Sequence, residues 1–305
     1  MRHTKSESGS ITLLSLLFAI VVIVIGIAFN QIVRMYLDEA FTFKSSMEND
    51  LQARSLLEKF TYCFSKGKIT NDRVLLNCDN FPKSVKLNGE LTPLEEEFYI
   101  SIQDTNGLFS LNSLNVEGFK RLLVNECGYD YAKADNFIQS FLDWQDTDDF
   151  KRLNGAERFD YSVENKPLPR NYQIQYKGEI IFIKGMDEKC YNKIKNFITY
   201  YPTIGYNPNT SPKEVLKAYL KLDEGEVEKL LKYLKSKPIY SDNELFAVSG
   251  RKIVFDEGVY FYPGRYFIVK LYKKIDKRLV KLYSFVINRN SNINFPYEII
   301  FTPQE

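Results

Sequence analysis

The sequence predicts an α+β protein, and three observations lead there. A helical pattern runs from an apolar N-terminal segment into a charged stem. A central block has apolar residues at three- and four-residue spacings. Strand-like alternation lies on both sides of that block.

From Ile11 to Phe29 the chain reads ITLLSLLFAIVVIVIGIAF, with no charge until Arg34. Roughly 20 apolar residues match the hydrocarbon thickness of a bilayer. Arg2 and Lys5 outweigh Glu7 ahead of it, which points to a cytoplasmic N-terminus and an exported body. A secretory signal peptide would have a shorter apolar core and a small-residue cleavage site. Here the run passes into QIVRMYLDEAFTFKSSMENDLQARSLLEKF without a Pro or Gly to stop a helix. Ile32, Met35, Leu51, Leu56, Leu57 and Phe60 alternate with charges at helical spacing, so one helix is expected to leave the membrane and continue as an amphipathic stem.

Next, EFYISIQ alternates as a strand and is closed by the turn formers Asp104, Asn106 and Gly107. From about Ser113 to Asp242 the chain reads as mostly helical, through NVEGFKRLLVNE, YAKADNFIQSFLDWQ, KCYNKIKNFI, SPKEVLKAYLKL and EGEVEKLLKYLKS. Ser211 and Pro212 offer an N-cap and a first-turn proline to one of these helices. ELFAVSGRKIVF, GVYFYPGRYFIVKLYKKI and RLVKLYSFVINRN then alternate like antiparallel strands.

Composition narrows the function. The one histidine, His3, precedes the apolar segment, which excludes a histidine-based triad or zinc site in the folded body. Lys+Arg at 41 against Asp+Glu at 39 lacks the basic excess of a nucleic-acid binder. Cys63, Cys78, Cys127 and Cys190 form no C-x-x-C pair, against zinc-ribbon and thioredoxin-like readings. In an exported domain they permit disulfides in three connectivities, with Cys63 and Cys78 closing a short loop. The alternative is four buried thiols packing as small hydrophobes.

The acidic run beginning at Asp146 places Asp146, Asp148, Asn154 and Glu157 on positions one, three, nine and twelve of a calcium loop. Phe150 and Lys151 then occupy positions that an EF-hand gives to an oxygen ligand and a glycine, so the run is not an EF-hand. A different arrangement is expected from Asp146, Asp148, Asp149 and Glu157, with Asp143 and Asp160 also within reach. The alternative is a solvated acidic loop that caps its neighbouring helices. A carboxylate-based hydrolase using Asp143, Asp146 and Glu157 lacks any further groups that assemble a substrate cleft.

A short polar leader, Gly9, and an uncharged apolar helix together resemble a type IV prepilin. Four downstream blocks sharpen the resemblance: SIQDTNGLFSLNSL, DWQDTDDFKRLNGAERFDY, PLPRNYQIQYKGEIIFIKG and NFITYYPTIGYNPNTSPKEVLKAYL. In that order they resemble general secretion pathway protein K, the largest minor pseudopilin of type II secretion systems, from Gly9 to about Asn290. Leu14 stands where most prepilins carry a glutamate, a residue that the K-type component is known to lack. Pro208 departs from the family's aliphatic residue and argues against strand pairing there, because it has no N–H to donate.

The resemblance implies a pilin-like long N-terminal helix packed on an antiparallel sheet, with a large inserted helical domain. It divides the chain into a leader (1–9), a transmembrane and filament helix (10–33), a pilin-like first part (34–112), the helical insertion (113–242) and C-terminal strands (243–305). It implies cleavage by prepilin peptidase between Gly9 and Ser10, N-methylation, and a calcium ion in the helical domain. It also implies a non-enzymatic role at the pseudopilus tip with I- and J-type minor pseudopilins, from a single-pass position in the inner membrane with a periplasmic body. A type IV pilus minor pilin is the alternative that shares these features. A membrane-anchored helix-hairpin-helix DNA-binding protein is a further one, weakened by the acidic inter-helix turn LDEGE, and nucleic acid is not an expected partner.

Overall fold

The computed structural model describes residues 8–79, 81–95, 97–163, 166–251, 261–275, 277–289 and 297–301. The chain divides into two compact units, 1–58 and 59–305. The described part of the first is helix α1 (Ser8–Lys66), whose last turns belong to the second. Over 11–29 the side chains of α1 are exposed and apolar, with Phe18 71% exposed, and by length and composition the helix can cross a membrane. Gly9 and Ser10 fall in its opening turns, and their side chains lie outside the described residues.

In the second unit, β1 (Lys68–Ile69), β2 (Arg73–Leu75) and β3 (Ser84–Lys86) make a small antiparallel sheet. The larger sheet uses β4 (Asn88–Glu95), β5 (Phe98–Asp104), β8 (Tyr266–Ile275), β9 (Arg278–Arg289) and β10 (Tyr297–Phe301), in the antiparallel order β10-β9-β8-β5-β4. Strands β5 and β8 pair directly, from Phe98↔Lys273 to Asp104↔Phe267, so the chain between them is an insertion. Alternation in β8 buries Phe267, Val269 and Leu271 on one face, as a half-covered strand requires. The ring of Phe64, in the last turn of α1, lies 5.4 Å from that of Phe267.

The insertion is mainly helical: α2 (Val116–Leu122), α3 (Tyr131–Gln145), α4 (Arg158–Val163), α5 (Glu188–Ile194), α6 (Lys213–Tyr219), α7 (Glu224–Ser236) and α8 (Asp242–Ser249). A short parallel pair joins β6 (Phe109–Ser110) to β7 (Ile198–Thr199). Side-chain oxygens of Asn115, Asp130, Asp187, Asp223 and Ser241 cap α2, α3, α5, α7 and α8, accepting from first-turn amides that have no partner within the helix. Phe109, Phe119, Phe137, Leu122, Leu216 and Leu230 are buried in one core. Each such side chain contributes about 1.5–3 kcal/mol relative to exposure.

The fold is thus α+β, with a long N-terminal helix, antiparallel sheets and an inserted helical region. Three local expectations are corrected. Residues 244–249, expected as strand, are helical, because Ser241 caps Glu244 N and Gly250 in the left-handed region (φ 69°) ends α8. Of the strand expected from 258, residues 258–260 lie outside the described residues, and 261–265 are not strand, which begins at Tyr266. Ser211 does not cap α6; its hydroxyl donates back to Asn207 O at 2.9 Å, and Pro212 stands at the cap. The Asn207–Pro208–Asn209 segment is a 3-10 turn, where proline's missing N–H costs no ladder bond.

Candidate metal centre

Helix α3 ends where Asp146 turns extended, and the following loop doubles back to α4. Asp143, in the last turn of α3, is fully buried, Asp146 is half-buried, and Glu157 is 4% exposed at the foot of α4. One carboxylate oxygen from each of the three lies within 4.8 Å of the others. Glycine is required at position 155, because a Cβ there would stand 2.0 Å from Asp143 Oδ2. Asn154 reaches the same bend in the left-handed region (φ 65°), a conformation asparagine tolerates.

Three clustered carboxylates, two of them buried, repel one another unless a cation sits among them. Part of that charge comes from Arg152. Its backbone N–H donates to Asp143 Oδ2 at 3.2 Å, and its Nη1 donates to Asp143 Oδ1 at 2.7 Å and to Asp146 Oδ2. Among the described residues no cation pairs with Glu157, and neither of its buried carboxylate oxygens, nor Asp146 Oδ1, accepts a hydrogen bond. Burial, reinforced by the charges of Asp143, Asp146 and Asp149, pushes the Glu157 carboxyl up to about 7.

The surrounding packing fixes this arrangement. The Trp144 indole N–H donates to Glu179 Oε1 at 2.9 Å, and its ring meets Tyr161 edge-on at 5.2 Å. Arg170 Nε donates to the same Glu179 oxygen at 3.1 Å. Asn171 ties its backbone N–H to Trp144 O and its side-chain amide to Asp148 O and Asp149 Oδ1.

The sequence-read ligands divide. Asp146 and Glu157 converge, joined by Asp143. Asp148 and Asp149 are exposed and engaged elsewhere, Asp148 accepting from Phe150 N at 2.9 Å. Asp160 is held by Lys151 at 2.7 Å, which draws its carboxyl below the usual range. The convergent donors suit a hard divalent cation: all are oxygens, and three buried oxygens lack any other partner. Asp143, Asp146 and Glu157 would hold it.

Two disulfides brace the second unit. Cys63 and Cys78 join the end of α1 to the loop after β2, and Cys127 and Cys190 join the turn after α2 to α5. The second pair had no sequence assignment, because spacing does not report which cysteines meet.

Residues 100–203, which include Asp143, Asp146 and Glu157, match the family model described as Type II secretion system (T2SS), protein K. This region resembles protein K. A Klebsiella pneumoniae type II secretion system protein K is 29% identical over 130 residues, covering 37% of this chain and 40% of the relative. An Escherichia coli (strain K12) relative named for the same protein K is 29% identical over 116 residues, covering 33% and 35%. The chain therefore matches well under half the length of these curated relatives. A likeness of fold extends further. The crystal structure of the GspK-GspI-GspJ complex from the enterotoxigenic Escherichia coli type 2 secretion system contains a chain that superposes with a TM-score of 0.53 at 14% identity. That match covers 85% of this chain and 95% of the other.

Proposed function

We propose that the protein is a minor pseudopilin of a type II secretion system, an assembly subunit and not an enzyme. One observation carries the reading: a region that resembles protein K stands in the same chain as a 59-residue helix whose N-terminal part presents an uncharged apolar surface. That helix suits two successive environments, lipid and then a bundle of like helices, where close packing of apolar surfaces drives association. The fold likeness to a chain of the GspK-GspI-GspJ complex supports I- and J-type pseudopilins as partners.

In this reading prepilin peptidase cuts between Gly9 and Ser10, the new N-terminus is methylated, and the helix holds the subunit in the inner membrane with its body in the periplasm. Leu14, in place of a glutamate, removes the group that would neutralise a neighbour's N-terminal ammonium in an apolar bundle. The insertion between β5 and β8 is bulky and would crowd a repeating filament, consistent with one copy at the tip, where filament initiation and protein export begin. Asp143, Asp146 and Glu157 bind calcium, which supplies the charge that Arg152 leaves uncompensated and ties the end of α3 to the start of α4.

Co-purification in detergent tests the assembly reading. The full chain, expressed with the I- and J-type pseudopilins of its host, should elute as a complex with both. Elution as a monomer at micromolar concentrations of each partner would count decisively against it.

A further inference from the structure

Both cysteines of the Cys127–Cys190 bridge line a cavity of about 340 Å³ between residues 127–133 and the first turns of α5. We propose that this bridge is a thiol–disulfide exchange site, opened by a dithiol and closed again while the protein stays folded.

Access supports the proposal first. Cys127 is partly exposed, whereas Cys190 is 2% exposed, so an incoming thiol meets Cys127. Cys127 ends a π-helical turn (Leu123–Cys127), and Gly128 in the left-handed region (φ 71°) then bends the chain away. A Cβ on Gly128 would meet nothing within 4 Å, so the approach beside Cys127 is open. Single π-helical turns recur at functional sites, where they interrupt the regular helix.

Charge favours the chemistry. Exchange proceeds by attack of a thiolate, and cations near the bond stabilise both the attacking and the departing sulfur anion. Exposed Lys133, Lys189 and Lys193 line the cavity. Its two acids are engaged: Asp130 caps α3, and Asp187 accepts from Cys190 N at 2.7 Å and from the Tyr129 hydroxyl at 2.8 Å. Lys133 lies 3.5 Å from Asp187, whereas Lys193 donates to a neutral acceptor, Glu126 O, at 2.8 Å. The Cys63–Cys78 bridge has different surroundings. Cys63 is 3% exposed, and the Phe60 ring near it lies 6.0 Å from that of Phe64 and 6.5 Å from that of Phe81. Apolar packing of that kind disfavours a thiolate.

The neighbouring contacts make the reaction reversible. The Tyr129 hydroxyl also donates to Gly185 O at 3.0 Å, and Lys193 reaches Glu126 O, so the segments that carry the two sulfurs stay joined when the bond opens. In the forward direction a thiolate of the dithiol attacks Cys127 Sγ, and the Cys190 sulfur leaves as a thiolate. The second thiol of the dithiol then closes on its own partner sulfur and displaces Cys127. The dithiol gives up two electrons and two protons and becomes a disulfide, while Cys127 and Cys190 become thiols. The site does not depend on the assembly reading, because it specifies a reductant and not a place in a filament.

The test is timed reduction of the folded full chain in detergent by dithiothreitol, followed by alkylation and mass spectrometry of the cysteine peptides. Cys127 and Cys190 should become alkylated together, at least about tenfold faster than Cys63 and Cys78, while the melting transition persists. Oxidised dithiothreitol should then restore the bond. The double substitution Lys189→Glu and Lys193→Glu should slow reduction by about tenfold at low salt and by less with salt added. The same charge change at exposed Lys229 and Lys232 on α7 should leave the rate unaltered. Melting temperatures check that both variants fold, with Lys189→Gln and Lys193→Gln as the milder replacement. Reduced thioredoxin in place of dithiothreitol separates a protein dithiol from a small one, and selective reduction by either supports the site. Reduction of both bridges at one rate, reduction only as the protein melts, or equal rates in wild type and the Lys189/Lys193 variant overturns the proposal. Each of these results leaves the co-purification experiment unaffected.

Discussion

The Thr210 hydroxyl donates to Asp104 Oδ2 at 2.8 Å, joining the end of β5 to a turn 106 residues further along the chain. Asn207 Nδ2 donates to the same oxygen at 3.2 Å, and the backbone N–H groups of Asn106 and Gly264 donate to Oδ1 at 3.1 and 2.9 Å. A fully buried carboxylate with four donors thus connects the start, middle and end of the insertion. Its neighbours must be small. A Cβ on Gly107 would meet Thr210 O at 2.6 Å, and one on Gly264 would meet Asn106 Oδ1 at 2.4 Å.

Replacing Asp104 with Ala should therefore cost roughly 3 kcal/mol or more, because several buried donors lose their acceptor together. Thr210→Val removes one donor and should cost about 1 kcal/mol. Urea unfolding of the full chain in detergent measures both, and equal small losses would deny Asp104 its central place.

The same residue gives a pH dependence. Burial pushes the Asp104 carboxyl from 3.8 up to about 6, against the pull of its four donors. The folded state then holds the proton more tightly than the unfolded state. The associated stability is complete below about pH 4 and is lost as pH rises through about 6. Over that interval the advantage of wild type over Asp104→Asn should shrink, by on the order of 3 kcal/mol. A difference that stays constant with pH would place the titration on another group.

Much of this architecture was legible in the sequence, for identifiable reasons. YAKADNFIQSFLDWQ coincides with α3, because its apolar spacing is regular and Asp130 supplies the cap. Strands β8 and β9 announce themselves by long period-two alternation. The misread α8 is short, and its few apolar residues fit either period. Its start was nonetheless written in Ser241 and Glu244, a cap and an acid three residues later. At the candidate metal centre, counting along a loop selected Asp148 beside Asp146 and Glu157, whereas helical spacing places Asp143 and Asp146 three residues apart on one face of the end of α3. Arg152 and Gly155 lie within the block DWQDTDDFKRLNGAERFDY, but their roles at the site depend on how the loop folds back.

Calcium titration should raise the melting temperature of the full chain. At roughly 100 times the dissociation constant the gain is about 2.7 kcal/mol, or some 5–10 °C for a unit of this size. Glu157→Gln and Gly155→Ala should abolish the shift. The single tryptophan, Trp144, adjoins Asp143 in sequence and should report binding through its fluorescence. Unchanged melting and emission at millimolar calcium would remove the ion from the proposed function.

Arg152→Gln separates the two cations. Without the guanidinium, the carboxylates repel more strongly when no metal is bound, so the calcium-free protein should melt lower. Calcium should bind more tightly, by about tenfold, because it no longer competes with a resident charge. Weaker binding in this variant would show that Arg152 assists the ion.

Removing Cys63–Cys78 by paired Ala substitutions should cost about 3 kcal/mol, and removing Cys127–Cys190 about 4 kcal/mol, from the loop lengths of 15 and 63 residues that they close. Denaturation with and without reductant gives both values, and an insensitive wild type would show that the thiols are unpaired.

The two bridges have a further property in their order along the chain. Of the three ways to couple four cysteines, only this one leaves the closed segments side by side, neither nested nor interlaced. A polypeptide emerging N-terminus first exposes Cys63 and Cys78 together before Cys127 or Cys190 is in reach. The first bond can therefore form correctly by proximity alone, and the remaining two sulfurs then have no partner but each other. Oxidation in the order of emergence needs no later reshuffling.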